Sequence, residues 1–256
     1  MLTRRRFLAA SAAAPLLAQS PWPSPVIDIH LHPRRDSVSS LDHVTGAGME
    51  KAVLLTHIRD AARAKEQIAK HPGRFTWFVA ADHRVPVLLH FQQAAPFDPE
   101  ALWNTGFPDF HKILQAHKKT NFIGHANFFW ASISANPPSG EEYPAGPVQT
   151  GGLTDRWLAD YPNLFGDLSA NSGNNALSRD PAFARAFLAR HQNKLMFGSD
   201  CSCKDGIGTG GSTLLARLKG KCVGRDTLSL LRELTSPDVF RKVCWGNAHL
   251  LLRVSA

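Results

Sequence analysis

Beyond its first twenty residues the chain has no apolar run long enough to cross a bilayer as a helix, so no stable membrane anchor is expected. It lacks any cluster that interleaves basic and aromatic residues, and nucleic acid is therefore not an expected partner. Internal repeats and low-complexity tracts are also missing, which excludes solenoid and linker architectures. Cysteine is scarce: Cys201, Cys203, Cys222 and Cys244. An even count permits disulfides in an exported chain without revealing the pairing, and Cys201-Ser202-Cys203 by itself is a weak metal signal. Small buried thiols are the expectation there. The glycine-rich run Gly206–Gly211 has no Lys-Ser/Thr pair after it, so it reads as a loop rather than a phosphate cradle.

What is present begins with a basic N-terminus. Arg4, Arg5 and Arg6 precede an Ala-rich apolar stretch that Gln19-Ser20-Pro21 breaks. This resembles a twin-arginine export signal, and the stretch is too short for a lasting transmembrane anchor. Residues 1–20 are thus expected to be a signal peptide, 21–256 one domain, and the destination the periplasm. Twin-arginine export carries folded proteins, so a metal would be loaded before transport. The formal net charge of +8 falls to +5 once the three leader arginines are removed. That modest excess is compatible with a small acidic substrate.

Four short apolar runs each end in a residue able to bind a metal. Val26–His32 ends in His30-Leu31-His32, Val87–His90 in His90, Phe122–His125 in His125, and Lys194–Asp200 in a carboxylate. Side chains alternate along a strand, so His30 and His32 point the same way. Imidazoles and a carboxylate gathered from the ends of several parallel strands make a catalytic metal site with room for water. Asp28 would share the face of His30 in a regular strand and could orient an imidazole.

At these residues the chain resembles the metal-dependent amidohydrolase superfamily, in the branch that includes the aminocarboxymuconate-semialdehyde decarboxylases. The matching segments are Asp28–Pro33, Val85–His90, Ile123–His125, Phe197–Asp200 and Trp245–Ala248, spread over nearly the whole chain after the leader. The resemblance implies a TIM-type (β/α)8 barrel. It implies His30, His32, His90 and Asp200 as ligands of a divalent metal, with zinc favoured by the imidazole-rich set. Asp200 and His125 would be the catalytic groups. The implied reaction is hydrolysis of a small-molecule ester, lactone or amide by a metal-activated water. Non-oxidative decarboxylation on the same scaffold is the alternative, since the same ligands serve both. A catalytically impaired remnant is a third reading. No macromolecular partner is implied, and oligomerisation is left open.

Strand and helix patterns alternate along the chain, as expected of an α/β fold built from βαβ units. The strand candidates are Val26–His32, Lys51–His57, Phe75–Ala80, Pro86–His90, Asn121–Ala126, Leu164–Ala170 and Lys194–Asp200. Helices are expected over Asp60–Lys70, Pro108–His117, Pro181–Arg190, Arg225–Leu234 and Pro237–Leu252. Seven strands are one short of a full barrel. Only Ala81 to Val85 separate the third from the fourth, whereas a parallel crossover needs a dozen or more residues. The expectation is therefore an incomplete or distorted barrel, with a segment absent at this point. The stretch from Phe128 to Asp155 is rich in Pro, Gly, Ser and Asn and follows the His125 strand, so Phe128, Phe129, Trp130 and Tyr143 are candidates for an apolar lid.

Overall fold

The computed structural model describes residues 20–56, 60–78, 86–92, 107–137, 141–211 and 213–254. Residues 1–19 of the proposed leader and the short Ala81–Val85 connection lie outside these. All seven expected strands are present: β1 (Ile27–Leu31), β2 (Lys51–Leu55), β3 (Phe75–Phe78), β4 (Val87–His90), β5 (Phe122–His125), β6 (Leu164–Asp167) and β7 (Leu195–Met196). Every pairing is parallel, in two sheets of order β1-β2-β3 and β4-β5-β6-β7.

The two sheets meet along β1 and the end of β7. Ile29 N donates to Phe197 O at 3.2 Å, and Asp200 N donates to His30 O at 2.7 Å. The wall therefore runs β3-β2-β1-β7-β6-β5-β4. Among the described residues β3 and β4 do not pair, so the barrel is not closed there. This agrees with the short connection, which is too brief to carry a parallel crossover between neighbouring strands.

Helices flank the wall: α1 (Ser37–Gly46), α2 (Ala61–Lys70), α3 (Phe110–Ala116), α4 (Asn127–Ala131), α5 (Leu153–Asp160), α6 (Ala170–Ser178), α7 (Pro181–Arg190) and α8 (Val223–Leu234). The start of α7 follows from its sequence. The Asp180 side chain accepts from Phe183 N at 3.0 Å, and Pro181 occupies the first turn, where no donor is needed. The expected last helix is interrupted. It runs as α9 (Pro237–Arg241), a π-helical turn (Lys242–Gly246) and α10 (Asn247–Leu252). Just after that turn, Asn247 Nδ2 donates to Gln192 O and Leu195 O, both at 2.7 Å. The Trp-Gly-Asn-Ala segment thus anchors the end of the chain to β7.

Two apolar clusters hold these layers. Ile27, Ile29, Val53, Ile123 and Met196 come from four strands and pack with Ala248 and Val254. Ile123 lies two residues before His125, so on β5 this apolar layer sits under the imidazole. The second cluster holds Phe91, Phe107, Phe110, Phe129, Trp130 and Trp157 around β4 and β5. Their rings contact edge to face and offset, for example Phe91 on Phe107 at 4.8 Å and Phe107 on Trp157 at 4.9 Å. Each buried phenyl ring contributes roughly 1.5–3 kcal/mol. Gly124 is required by this packing, because a Cβ there would stand 2.1 Å from the Phe129 ring.

The expected lid takes a different form. Phe129 and Trp130 lie in α4 and are buried in the core rather than draped over a mouth, and Trp130 Nε1 donates to Asp167 O at 2.9 Å. Tyr143 does line a cavity. The glycine-rich run after β7 is an ordered turn, in which Asp205 Oδ1 accepts from the amides of Ile207, Gly208 and Thr209.

Candidate metal centre

The strand-end residues converge. His30 leaves β1, His125 ends β5 and Asp200 follows β7, and their potential ligand atoms all lie within 4.8 Å of one another. Asp200 sits at the middle. Its Oδ1 is 3.8 Å from His30 Nε2 and 3.6 Å from His32 Nε2, and its Oδ2 is 3.6 Å from His125 Nε2. These separations are too long for hydrogen bonds. They suit donors arranged around an ion 2.0–2.2 Å from each.

The far side of each imidazole is tied back. His32 Nδ1 lies 3.2 Å from Leu55 O. A carbonyl can only accept, so Nδ1 carries the proton and Nε2 keeps its lone pair. His30 Nδ1 meets Asp167 Oδ2 at 2.7 Å. Ser169 Oγ donates to the same Asp167 oxygen at 2.7 Å and lies 2.8 Å from His125 Nδ1, whose proton it can accept. Three Nε2 atoms therefore face one carboxylate with their orientations fixed from behind, as metal-binding imidazoles require. The donor set fits a divalent cation of zinc type.

Asp167 does not figure among the residues expected from sequence. Asp167 ends β6, fully buried, and its approach depends on Gly198, where a Cβ would stand 2.4 Å from Asp167 Oδ1. The visible signal was a carboxylate and a hydroxyl two residues apart at another strand end. Asp28 does something other than orient an imidazole. The pairing of β1 with β2 shifts register between Asp28 and Leu31, and Asp28 Oδ1 accepts from the amides of His30 (2.9 Å) and Ser199 (2.8 Å). It thereby ties together the two strand ends that carry His30 and Asp200.

His90 stands further out. Its Nε2 lies 3.2 Å from Gln92 Oε1 and its ring 5.3 Å from that of His125. The geometry thus brings together His30, His32, His125 and Asp200, with His90 on the cavity wall. The side chains of His30 and His125 are 5% and 2% exposed, whereas that of His32 is 60% exposed.

Charge follows burial and neighbours. Burial pulls the His30 imidazole down, but Asp167, Asp200 and Asp28 outweigh it and hold it at about 9. Burial pushes the Asp200 carboxyl up, yet the facing imidazoles of His125, His30 and His32 keep it well below the usual range. His32 and His90 are lowered, first by burial and next by the neighbouring imidazole, His30 and His125 respectively. Burial lifts Asp28 to about 7 against the hydrogen bonds it receives from Ser199 and His30.

Beside these groups is a cavity of about 310 Å³, lined among others by His90, His125, Asn127, Tyr143, Asn171 and Asp200. Three residues on its rim carry positive φ without being glycine: Ala126 (81°), Ala170 (60°) and Asp200 (39°). They follow β5, β6 and β7, so the strain collects where the strands open onto the cavity.

Comparison with known proteins bears on this geometry. The family model described as amidohydrolase matches residues 64–254. A crystal structure of a TatD homologue from Escherichia coli K12 superposes with a TM-score of 0.50 at 12% identity, covering 90% of this chain and 98% of that one. A 4-oxalomesaconate hydratase from Rhodopseudomonas palustris gives a TM-score of 0.39 at 11% identity, covering 90% and 96%. No curated protein matches the sequence.

Proposed function

The chain belongs to the amidohydrolase family, and from that premise we propose that it is a metal-dependent hydrolase acting on an ester, lactone or amide bond of a small molecule. The observation that carries this reading is the convergence of three imidazole Nε2 atoms on the Asp200 carboxylate, each ring held from behind by a hydrogen bond. His30, His32, His125 and Asp200 would hold the cation. When bound, a divalent metal polarises a carbonyl and lowers the pKa of a water molecule towards neutrality.

The remaining roles belong to the chain's own groups. Asp200 is ionised at neutral pH, because its carboxyl is held below the usual range. It is therefore ready to accept a proton from the attacking water. His90 is lowered and mainly neutral at that pH, and it faces the cavity with Gln92 beside it. In that form it can hydrogen-bond the oxygen that gains charge during attack. Asn127, Asn171 and Tyr143 supply polar contacts for orienting a substrate of small-molecule size. We extend the reading to export by the twin-arginine route, on the strength of Arg4 and Arg5 before the apolar stretch.

The test combines metal analysis with a panel of esters, lactones, amides and unsaturated carboxylic acids. The expected result is turnover on a member of the first three classes. His30→Ala with His32→Ala should remove one equivalent of metal and abolish that turnover. Decarboxylation of an acid without hydrolysis of any ester, lactone or amide would replace the proposed reaction with a lyase. Full metal content in the double variant would refute the assigned site.

A further inference from the structure

A second group of metal-binding side chains lies apart from the centre described above and shares no residue with it. His43, Cys201, Cys203 and Cys222 are all buried, and one potential ligand atom from each lies within 4.8 Å of the other three. His43 Nδ1 is 3.2 Å from Cys203 Sγ, Cys201 Sγ is 3.3 Å from Cys203 Sγ, and Cys201 Sγ is 3.7 Å from Cys222 Sγ. A tetrahedron with zinc–sulfur bonds of 2.3 Å has sulfur–sulfur edges of about 3.8 Å. The group is thus close to the size of a three-sulfur, one-nitrogen shell. The cysteines are free thiols, and these separations are far from the ~2.05 Å of a disulfide.

We propose that His43, Cys201, Cys203 and Cys222 form a structural site for a soft divalent cation, zinc foremost. Four ligands of this kind complete a closed tetrahedral shell with no open position, so the site holds structure and performs no chemistry of its own.

Two further observations point to a ligand. The His43 ring is fully buried, Nε2 has no hydrogen-bond partner among the described residues, and Nδ1 lies against the Cys203 sulfur. A polar ring so poorly served is costly unless something else engages it. Cys222 also caps the twelve-residue helix α8, where its sulfur accepts from Arg225 N at 3.4 Å and faces the positive end of the helix dipole. Arg34 Nη2 donates to the carbonyls of Cys201 and Cys203, which fixes the backbone that carries two of the sulfurs.

The ligands come from three separate places: α1, the segment after β7, and the start of α8. The backbones are already pressed together there, since a Cβ on Gly46 of α1 would stand 1.7 Å from Asp205 O. Cys201 directly follows Asp200. A cation here would clamp the segment that presents Asp200 against two helices. This role is independent of what the first centre does.

The test uses the whole chain purified anaerobically with a phosphine reductant, stripped of metal with a chelator and titrated with cobalt(II). Wild type should show an intense sulfur-to-cobalt charge-transfer absorption saturating at one equivalent. That absorption should persist in His30→Ala with His32→Ala, because the first centre has no sulfur. It should weaken in Cys222→Ser, which removes one of the three sulfurs, and strengthen in His43→Cys, which adds a fourth. Absence of the band in wild type would overturn the proposal. So would a band unchanged by Cys222→Ser, or a Cys201–Cys203 or Cys201–Cys222 disulfide in the anaerobically purified chain. Because the decisive reading is made on wild type, a variant that fails to fold does not obscure the outcome.

Discussion

Replacing Asp167 by Asn tests how the first centre is held together. In metal-free protein the His30 imidazole is held at about 9 against an ordinary 6.5, with Asp167 the strongest of the groups that raise it. That shift corresponds to about 3 kcal/mol of preference for the protonated ring. Both partners are buried, so solvent screens little of it. The stabilisation is fully present below pH 6.5, where the ring would be charged even in the unfolded chain. It is lost as pH rises through 9 and the folded ring gives up its proton. Asp167→Asn should therefore destabilise the chelator-treated protein by on the order of 3 kcal/mol at pH 6. At pH 9.5 the difference should shrink to about 1 kcal/mol, the value of one neutral hydrogen bond. Urea unfolding of both proteins at the two pH values measures this. An equal or larger loss at pH 9.5 would show that Asp167 acts through packing rather than charge.

Other expectations follow from the core, the wall and the leader. Phe129→Ala should cost about 3–5 kcal/mol and lower the melting temperature by on the order of 10 °C, since the ring is fully buried among Phe91, Phe107 and Trp130. A loss under 1 kcal/mol would mean the aromatic cluster collapses to fill the void. Among the described residues the outer edges of β3 and β4 are unpaired, which predicts concentration-dependent self-association; sedimentation velocity that finds only monomer up to high concentration would contradict this. Inserting a relative's longer segment between Ala80 and Ala81 should raise thermal stability and turnover together; a rise in neither would argue against an absent unit. Arg4→Lys with Arg5→Lys should hold the precursor in the cytoplasm, and fractionation showing an undiminished exported pool would count against the twin-arginine route.

The wall was legible because each strand is a short apolar run that stops at a polar residue, and a period of two is visible without knowing the neighbours. His30, His32, His90, His125 and Asp200 stood out for the same reason. Asp167 did not, because its role depends on Gly198 leaving room for the carboxylate and on a ring arriving from another strand. Helix α6 was equally hidden. Ala170–Ser178 is rich in Asn, Ser and Gly, which favour turns. It is helical because tertiary contacts replace propensity: Asn174 donates to Asp226 and Thr227, and Gly173 fits against the Leu168 backbone with no room for a Cβ. Phe129 and Trp130 looked like lid residues because their sequence neighbours are loop-forming, whereas their own size commits them to the core. The strand break near Asp28 also left no mark, since a register shift changes facing without changing composition.

The contrast between dry His30 and His125 and wet His32 has a kinetic consequence. Ligands that differ in access to water do not let go together. The solvated imidazole of His32 would be the ligand most open to a competing molecule, and the ion would leave by steps that begin there. A centre built this way would empty and refill readily, so the ion it carried would reflect the surrounding supply at that moment. The four ligands around His43 and Cys203 are buried on every side and offer no such first step. An ion caught there would stay for the lifetime of the fold. One chain would then keep two records of its metal environment, one of the present and one of the moment it folded.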